Sequence, residues 1–228
     1  MKISVIMSVH NGQYCLPTSI ESILNQSYKD FEFLIMDDNS NDDTYELLKK
    51  YQKFDSRIKI FQNKINLGLT KSLNILLLNS QGKYVARQDA DDISEINRLS
   101  IQYKTLENSN YQVCSTRAKI IQTSKKIPGL SFYIPIKVLI KYKNPIIHGT
   151  IMADKNILQT IGNYNEKFYF SQDYKLIYDL LENNIKIKQI NKPLYHLNMN
   201  NNISTLFSEE QKYYADCVRK KVNPEIKN

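Results

Sequence analysis

Glycine and proline are scarce in this 228-residue chain, with six of each, which excludes a collagen-like or long low-complexity segment. Cysteine is scarcer still. Cys15, Cys114 and Cys217 are odd in number and far apart, without the spacing of a zinc site or redox motif, so they read as reduced thiols of a cytoplasmic protein. No apolar run reaches membrane-spanning length. The stretch Met1 to Val9 is apolar but lacks a small-residue cleavage site, and reads as a first buried strand rather than a signal peptide. No Gly-x-Gly-x-x-Gly opens the first helix and no Gly-x-x-x-x-Gly-Lys occurs, which disfavours dinucleotide oxidoreductases and P-loop enzymes. Internal repeats are lacking too.

What is present suits a globular protein: 42% of residues are hydrophobic, and no clean linker interrupts them, so one domain spanning 1–228 is expected. The formal net charge of +8 is spread along the chain without any recognisable nucleic-acid module, so no nucleic-acid partner is expected. Two groups are denser, Lys137/Lys141/Lys143 and Arg219/Lys220/Lys221. The first lies beside Ile136, Val138, Leu139 and Ile140 at helical spacing. A solvated helix face is one reading. Contact with anionic lipid headgroups, peripheral at the inner face of a membrane, is the other.

Along the first half, strand-like and helix-like patterns alternate. Strands are expected at Ile3 to Val9, Phe31 to Met36, Ile58 to Phe61 and Lys83 to Ala86. Between them lie apolar faces at helical spacing: Leu16, Ile20, Ile23 and Leu24; Leu47, Leu48 and Tyr51; Leu69, Leu73, Leu76 and Leu77. Pro17 suits a first helical turn, and Asn41 or Asp42 suits the cap of the second helix. This order implies an α/β fold with a mostly parallel central sheet flanked by helices, Rossmann-like in its N-terminal half. Beyond residue 110 the pattern is less regular. Strands are expected at Val113 to Ile121 and Ile147 to Ala153, with a loop from Lys125 to Pro135 between them. Helices are expected near Asn156 to Ile161, from Asp173 through Leu181, and from Glu209 to Lys221, with a turn at Gly162 to Asn165 and a loop at Asn198 to Asn202.

In open parallel sheets ligands bind beyond the carboxyl ends of the strands, where His10-Asn11, Asp37-Asp38 and Asp89 to Asp92 are all expected. The last group stands out. Arg87-Gln88-Asp89-Ala90-Asp91-Asp92 places three carboxylates within four positions, between a strand and the helical pattern Ile96, Leu99, Tyr103, Leu106. Such charges repel, and oxygen-only ligands suit Mg²⁺ or Mn²⁺, which in turn bind phosphates. A solvated acidic turn with Asp92 or Ser94 capping the next helix is the plain alternative. A calcium loop lacks its required Gly and terminal Glu.

Taken in order, several stretches resemble the family-2 glycosyltransferases, inverting enzymes of the GT-A fold. They are Ser4 to Asn11, Ser22 to Tyr28, Phe31 to Asp42, Asn66 to Leu69, Arg87 to Asp92, Pro145 to Ala153 and Gln172 to Leu176, within residues 3 to 190. The resemblance implies a nucleotide-sugar-binding half, 1–110, and an acceptor-binding half with a C-terminal helix, 111–228. It implies that Asp38 accepts a hydrogen bond from the donor's base, usually uracil, flanked by the main chain at Val9, His10 and Asn11. Asp91 matches the stronger metal ligand of an Asp-x-Asp pair, and Asp89 the member nearer ribose and diphosphate. Asp173 matches the general base towards the acceptor hydroxyl. Departures are His10 where the family often has Tyr, Gln172 where Glu is common, and Asn and Met near Leu197 to Ser204 where Arg and His are frequent.

By charge alone, Lys71 and Arg87 are candidate diphosphate partners, and His196 is a further candidate metal ligand. His148 can line the acceptor cleft or satisfy a backbone group. The implied activity is metal-dependent transfer from a UDP-sugar to a hydroxyl of a glycan or lipid-linked acceptor, in bacterial surface polysaccharide assembly. Two alternatives stand beside it. A sugar nucleotidyltransferase would need a Gly-x-Gly-x-Arg segment that His10-Asn11-Gly12-Gln13 does not provide, and a non-catalytic binding module would not need both Asp91 and Asp173.

Overall fold

Ile3–Val9 forms β1, and nearly every side chain in it is buried, as expected of a strand covered on both faces. The structure, a computed structural model, describes residues 1–200 and 207–225. β1 pairs in parallel with β2 (Phe31–Asp37) on one side and β4 (Tyr84–Arg87) on the other, and β2 pairs in parallel with β3 (Ile58–Gln62). Crossovers run through α1 (Leu16–Leu24), α2 (Thr44–Phe54) and α3 (Leu69–Asn79). Period-two alternation sorts the strand side chains into two cores. Ile3, Val5, Met7, Phe33 and Ile35 pack with Leu16, Ile20 and Leu48, while Ile6, Leu34 and Met36 pack with Leu73, Leu76 and Leu77.

The second half adds β5 (Ile93–Ser94), α4 (Arg98–Glu107), β6 (Val113–Ile120), β7 (Lys126–Ile127), α5 (Ile136–Leu139), β8 (Met152–Asp154), α6 (Lys155–Thr160), α7 (Gln172–Glu182), β9 (Ile187–Leu197) and α8 (Ser208–Lys220). The strands join one sheet in the order β3-β2-β1-β4-β8-β6-β9-β5, with β7 paired to β6. The expected parallel half is thus extended by a mixed half, in which β8 runs antiparallel to both β4 and β6.

Three expectations need correction, and one strand was not expected. The strand over Ile147 to Ala153 is a single 3-10 turn, His148–Thr150, followed by the short β8. The loop from Lys125 to Pro135 contains β7 and a 3-10 turn at Leu130–Tyr133. Ile96 precedes its helix and is exposed, while neither Asp92 nor Ser94 caps that helix; Asn97 holds the position, without a side-chain cap bond. The eleven-residue β9 was not anticipated at all. Its interior Pro193 cannot donate to a ladder, and the pairing of β6 with β9 shifts register beside it, at Arg117.

Buried charge braces the parallel half. Glu32 of β2 is fully buried, and its carboxylate accepts from Lys59 Nζ (2.7 Å), Ser4 Oγ (2.5 Å) and Gln81 N (2.6 Å). Burial pushes this carboxyl up, but the Lys59 and Ser4 hydrogen bonds and the Gln81 amide outweigh it and hold the group below its usual range. Glu32→Ala is expected to cost about 3 kcal/mol of stability in urea unfolding, because it leaves the buried Ser4 hydroxyl and the Gln81 amide without their acceptor. A carboxyl depressed in the folded state stabilises fully above its unfolded pKa of about 4.3 and loses that contribution as pH falls through the folded value. Glu32→Gln is therefore expected to flatten the fall in stability below pH ~4. A curve parallel to that of the parent protein rejects the assignment.

Candidate active site

The register of the central strands sets the site. Arg87, the last residue of β4, lies level with Ile6, whereas β1 continues to Val9. Residues 88–92 therefore turn beside the carboxyl end of β1. Gln88, fully buried, donates through Nε2 to Ser19 Oγ of α1 (3.0 Å) and to Asp92 O (2.9 Å), while Ser19 Oγ donates to Asp89 O (2.7 Å). These bonds fix the main chain of the acidic turn.

Two buried guanidinium groups sit under it. Arg87 donates to Asp89 Oδ1 (2.5 Å) and to the carbonyl oxygens of Gln88 and Ile6. Arg98, on the first turn of α4, donates to Gln88 Oε1 (2.9 Å), Ser94 Oγ (2.7 Å), Gln102 Oε1 (3.0 Å) and Arg87 O (2.5 Å), and stacks 5.0 Å from the Tyr195 ring. Full burial lowers its pKa to about 10, still charged at neutral pH. Tyr195 of β9 closes the unit. Its hydroxyl oxygen accepts from Asp89 N (3.0 Å), and its hydrogen bond to Asp92 stabilises that carboxylate.

The three carboxylates differ in surroundings. Burial, then the charge of Asp89, raises Asp91 to about 6. Asp92 is buried and is raised by its own burial and by Asp89 and Asp91, although Asn198 N donates to its Oδ1 (2.7 Å). An all-oxygen donor set whose anionic form is disfavoured by crowding fits a hard divalent cation. Among the described residues no group of three His, Cys, Asp or Glu side chains forms a closed cage.

Asp89, Asp91 and Asp92 line one wall of a cleft of about 830 Å³, and Asp173, far away in the sequence, lines the same cleft. Asp173 lies in the first turn of α7, after Ser171 in the left-handed conformation (φ 51°). Burial raises its pKa, while the Tyr174 amide (2.8 Å to Oδ1) and Asn144 Nδ2 (2.7 Å to Oδ2) oppose the shift. Asn144 is itself fixed by accepting from Ile146 N through Oδ1 (3.0 Å).

Between these acids lies the 3-10 turn His148-Gly149-Thr150. His148 Nε2 is 2.7 Å from the Tyr164 hydroxyl, which has no other acceptor among the described residues. Tyr164 therefore donates, and the imidazole proton resides on Nδ1. Enclosure, with Arg87 adding to it, holds the imidazole neutral with a pKa of about 3. Gly149 is required here. A Cβ would lie 2.2 Å from the Tyr195 hydroxyl and 2.6 Å from Asp89 Oδ2.

The other expected site residues are not on the cleft wall. Asp38 is buried, accepting from Asn63 Nδ2 (2.7 Å) and Leu67 N (2.8 Å) through Oδ1 and from Gly68 N (2.8 Å) through Oδ2. It shapes the left-handed Gly68 turn (φ 82°), against which the cleft residue Tyr169 packs. Val9 O accepts from Asp38 N (2.8 Å), and His10 Nδ1 is 3.0 Å from Asp38 O. Asn11 (φ 53°) receives Asn41 N on its Oδ1 and donates its own N–H to Ser40 Oγ. Val9 to Asn11 and Asp38 thus form one cluster at adjoining strand ends. Arg87 is 2% exposed and committed beneath Asp89. Lys71 is exposed on α3 without an ion-pair partner among the described residues, and His196 pairs with Glu95 (2.7 Å). Residues 201–204 of the segment Leu197 to Ser204, and with them part of Asn198 to Asn202, lie outside the described residues.

Arg98, Tyr195, Asn144, Tyr164 and Gly149 were not singled out from sequence. Arg98 sits one position before the expected core residue Leu99, on a helix face that also buries Gln102.

Comparison with known proteins follows this geometry. The chain is 38% identical over 170 residues to the putative glycosyltransferase EpsE of Bacillus subtilis, covering 72% of this chain and 60% of that one. It is 33% identical over 180 residues to the O-antigen biosynthesis glycosyltransferase WbnJ of Escherichia coli, covering 76% and 69%. The fold matches S. aureus TarS 1-349 in complex with UDP-GlcNAc (TM-score 0.77, 21% identity, 89% of this chain and 60% of that one). It also matches the mannosyltransferase PcManGT of Pyrobaculum calidifontis in complex with GDP-Man and Mn²⁺ (TM-score 0.76, 17% identity, 98% and 66%). Residues 4–190 match the glycosyl transferase family 2, and the chain belongs to that family.

Proposed function

We propose that this protein is a metal-dependent inverting glycosyltransferase. It moves a sugar from a nucleoside diphosphate sugar, UDP-linked, to a hydroxyl of a glycan or lipid-linked acceptor, on the cytoplasmic side, in bacterial surface polysaccharide assembly. One observation carries the reading: Asp89 and Asp91 share a cleft with Asp173, whose raised pKa suits a base. The family, the printed role of WbnJ and the nucleotide sugars held by TarS and PcManGT support the substrate class. Residues 1–110 supply the donor half and 111–228 the acceptor half.

In this mechanism Asp173 takes the proton of the acceptor hydroxyl as its oxygen bonds to the anomeric carbon, while the bond from that carbon to the diphosphate breaks on the opposite side. Configuration inverts. Asn144 aims Asp173 and favours its charged form. His148 lines the cleft as a neutral imidazole, and its charge does not change with pH in the working range. Arg87 holds Asp89 in place. The donor's uracil ring lies against Val9, His10, Asn11 and Asp38, whose Oδ2 accepts one hydrogen bond, from Gly68 N, and retains a second lone pair. Asp91 with Asp89 would hold Mg²⁺ or Mn²⁺, which when bound would supply positive charge towards the leaving diphosphate. His196 is set aside as a ligand because it does not line the cleft that Asp89 and Asp91 share.

Asp173→Asn is expected to keep UDP affinity and to lower transfer roughly a thousand-fold. Asp91→Asn is expected to weaken UDP binding measured calorimetrically with Mn²⁺ and leave metal-free binding unchanged. Transfer is read as UDP released from UDP-sugars. Consumption of UTP with sugar 1-phosphate identifies a nucleotidyltransferase instead, and turnover of neither a binding module.

The base must be deprotonated to act, so the raised pKa of Asp173 places the acidic limb of kcat above the ordinary carboxylate range. Asn144→Ala removes a donor to the charged form, and is expected to move that limb about one unit to higher pH. An unshifted limb removes Asn144 from this role.

A further inference from the structure

From residue 108 to residue 153 the chain carries seven Lys and Arg residues and no Asp or Glu. The middle of this stretch also exposes apolar side chains. Leu130 and Tyr133 on the 3-10 turn, then Ile134, Val138 and Tyr142, are between 41% and 88% exposed. The last three are spaced i, i+4, i+8. The backbone supports one face, since Leu139 N bonds Pro135 O, Ile140 N bonds Ile136 O and Lys143 N bonds Leu139 O, carrying helical turns from 135 to 143. Leu139 and Ile140 are buried on the inner side. Val138 and Tyr142 therefore point outward, between the exposed Lys137 and Lys141. None of the three lysines at 137, 141 and 143 has an ion-pair partner among the described residues.

An exposed apolar stripe bordered by three lysines, with one acidic residue, Asp216, held by Arg219 at its edge, is poorly suited to water and to a basic partner. It matches an anionic bilayer surface, which accepts apolar side chains at the headgroup boundary and attracts lysine. Its position is informative. Lys143 and Asn144, immediately after the stripe, line the cleft, and Asn144 holds Asp173. The C-terminal turn of α8 joins the same edge through Arg219, which donates to Tyr142 O (3.1 Å). Among the described residues no helix is long and apolar enough to cross a membrane.

We propose that residues 130–143 form a docking surface for an anionic phospholipid bilayer, which sets the Asp173 side of the cleft at the membrane. The docking surface stands on its own observations. Its meaning for catalysis, delivery of a lipid-linked acceptor hydroxyl to the base, rests on the glycosyltransferase reading.

Flotation of the full chain with vesicles tests it. Phosphatidylcholine vesicles containing phosphatidylglycerol are expected to carry the protein, and pure phosphatidylcholine vesicles are not. Lys137→Gln with Lys141→Gln is expected to weaken partitioning roughly ten- to thirty-fold. Val138→Asp with Tyr142→Asp is expected to abolish it. Both variants are expected to keep UDP affinity, which separates loss of docking from loss of the fold or of the donor site. No partitioning at low salt, or equal partitioning on both vesicles, overturns the proposal. So does self-association in sedimentation velocity that the Val138/Tyr142 variant abolishes, because the stripe is then an interface between two copies. UDP binding with no transfer would sink the catalytic reading and leave the docking result intact.

Discussion

Three carboxylates crowded into one turn repel each other, and most of the structure around the cleft manages that repulsion. The turn cannot relax into solvent, because Gln88 and Ser19 hold its carbonyl oxygens and Tyr195 holds the Asp89 amide. Arg87 and Arg98 supply cationic charge from below, in a layer where neither side chain meets water. That layer neutralises only part of the negative charge. Asp91 and Asp92 stay raised, so the upper face of the turn is a place where added positive charge is favoured. A buried ionic network of this kind is weak evidence for stability. Its effect is to give each carboxylate a fixed position and a distinct affinity for protons.

The two halves of the molecule contribute differently. The parallel half presents strand ends in register, so that Val9 to Asn11, Asp38 and the acidic turn lie along one edge. The mixed half brings the groups that face them. β9 delivers Tyr195 beneath the turn, the 3-10 turn at His148 passes so close to Asp89 that only glycine fits at position 149, and α7 lifts Asp173 onto the far wall. Asp38 has a supporting role visible in the coordinates: its carboxylate shapes the Gly68 turn against which Tyr169, a cleft residue, packs.

The elements that were legible share a property. β1, β2 and α3 carry their periodicity in their own side chains, because each is buried along most of its length. β9 was illegible for the opposite reason. Its burial follows no period of two, with Lys188, Asn191, Lys192 and Pro193 along it, and its pairing depends on a register shift opposite Arg117. The run Ile147 to Ala153 misled because an apolar stretch satisfies a strand and a buried 3-10 turn equally well.

The sequence by itself determined the parallel order of the first half, the acidic turn at the end of its fourth strand, the family, and the identity of Asp91 and Asp173 as residues to examine. Only the tertiary structure decided which charges reach the cleft. Arg87 was read as a cation for substrate and is buried beneath Asp89, while His196 is engaged by Glu95. Tertiary structure also revealed Asn144 beside Asp173 and a forced tautomer at His148. The reason is physical. Periodicity records how a segment is buried, but the partner of a polar side chain is set by elements far away in the chain, and one hydrogen bond's length decides whether a charge is free or committed.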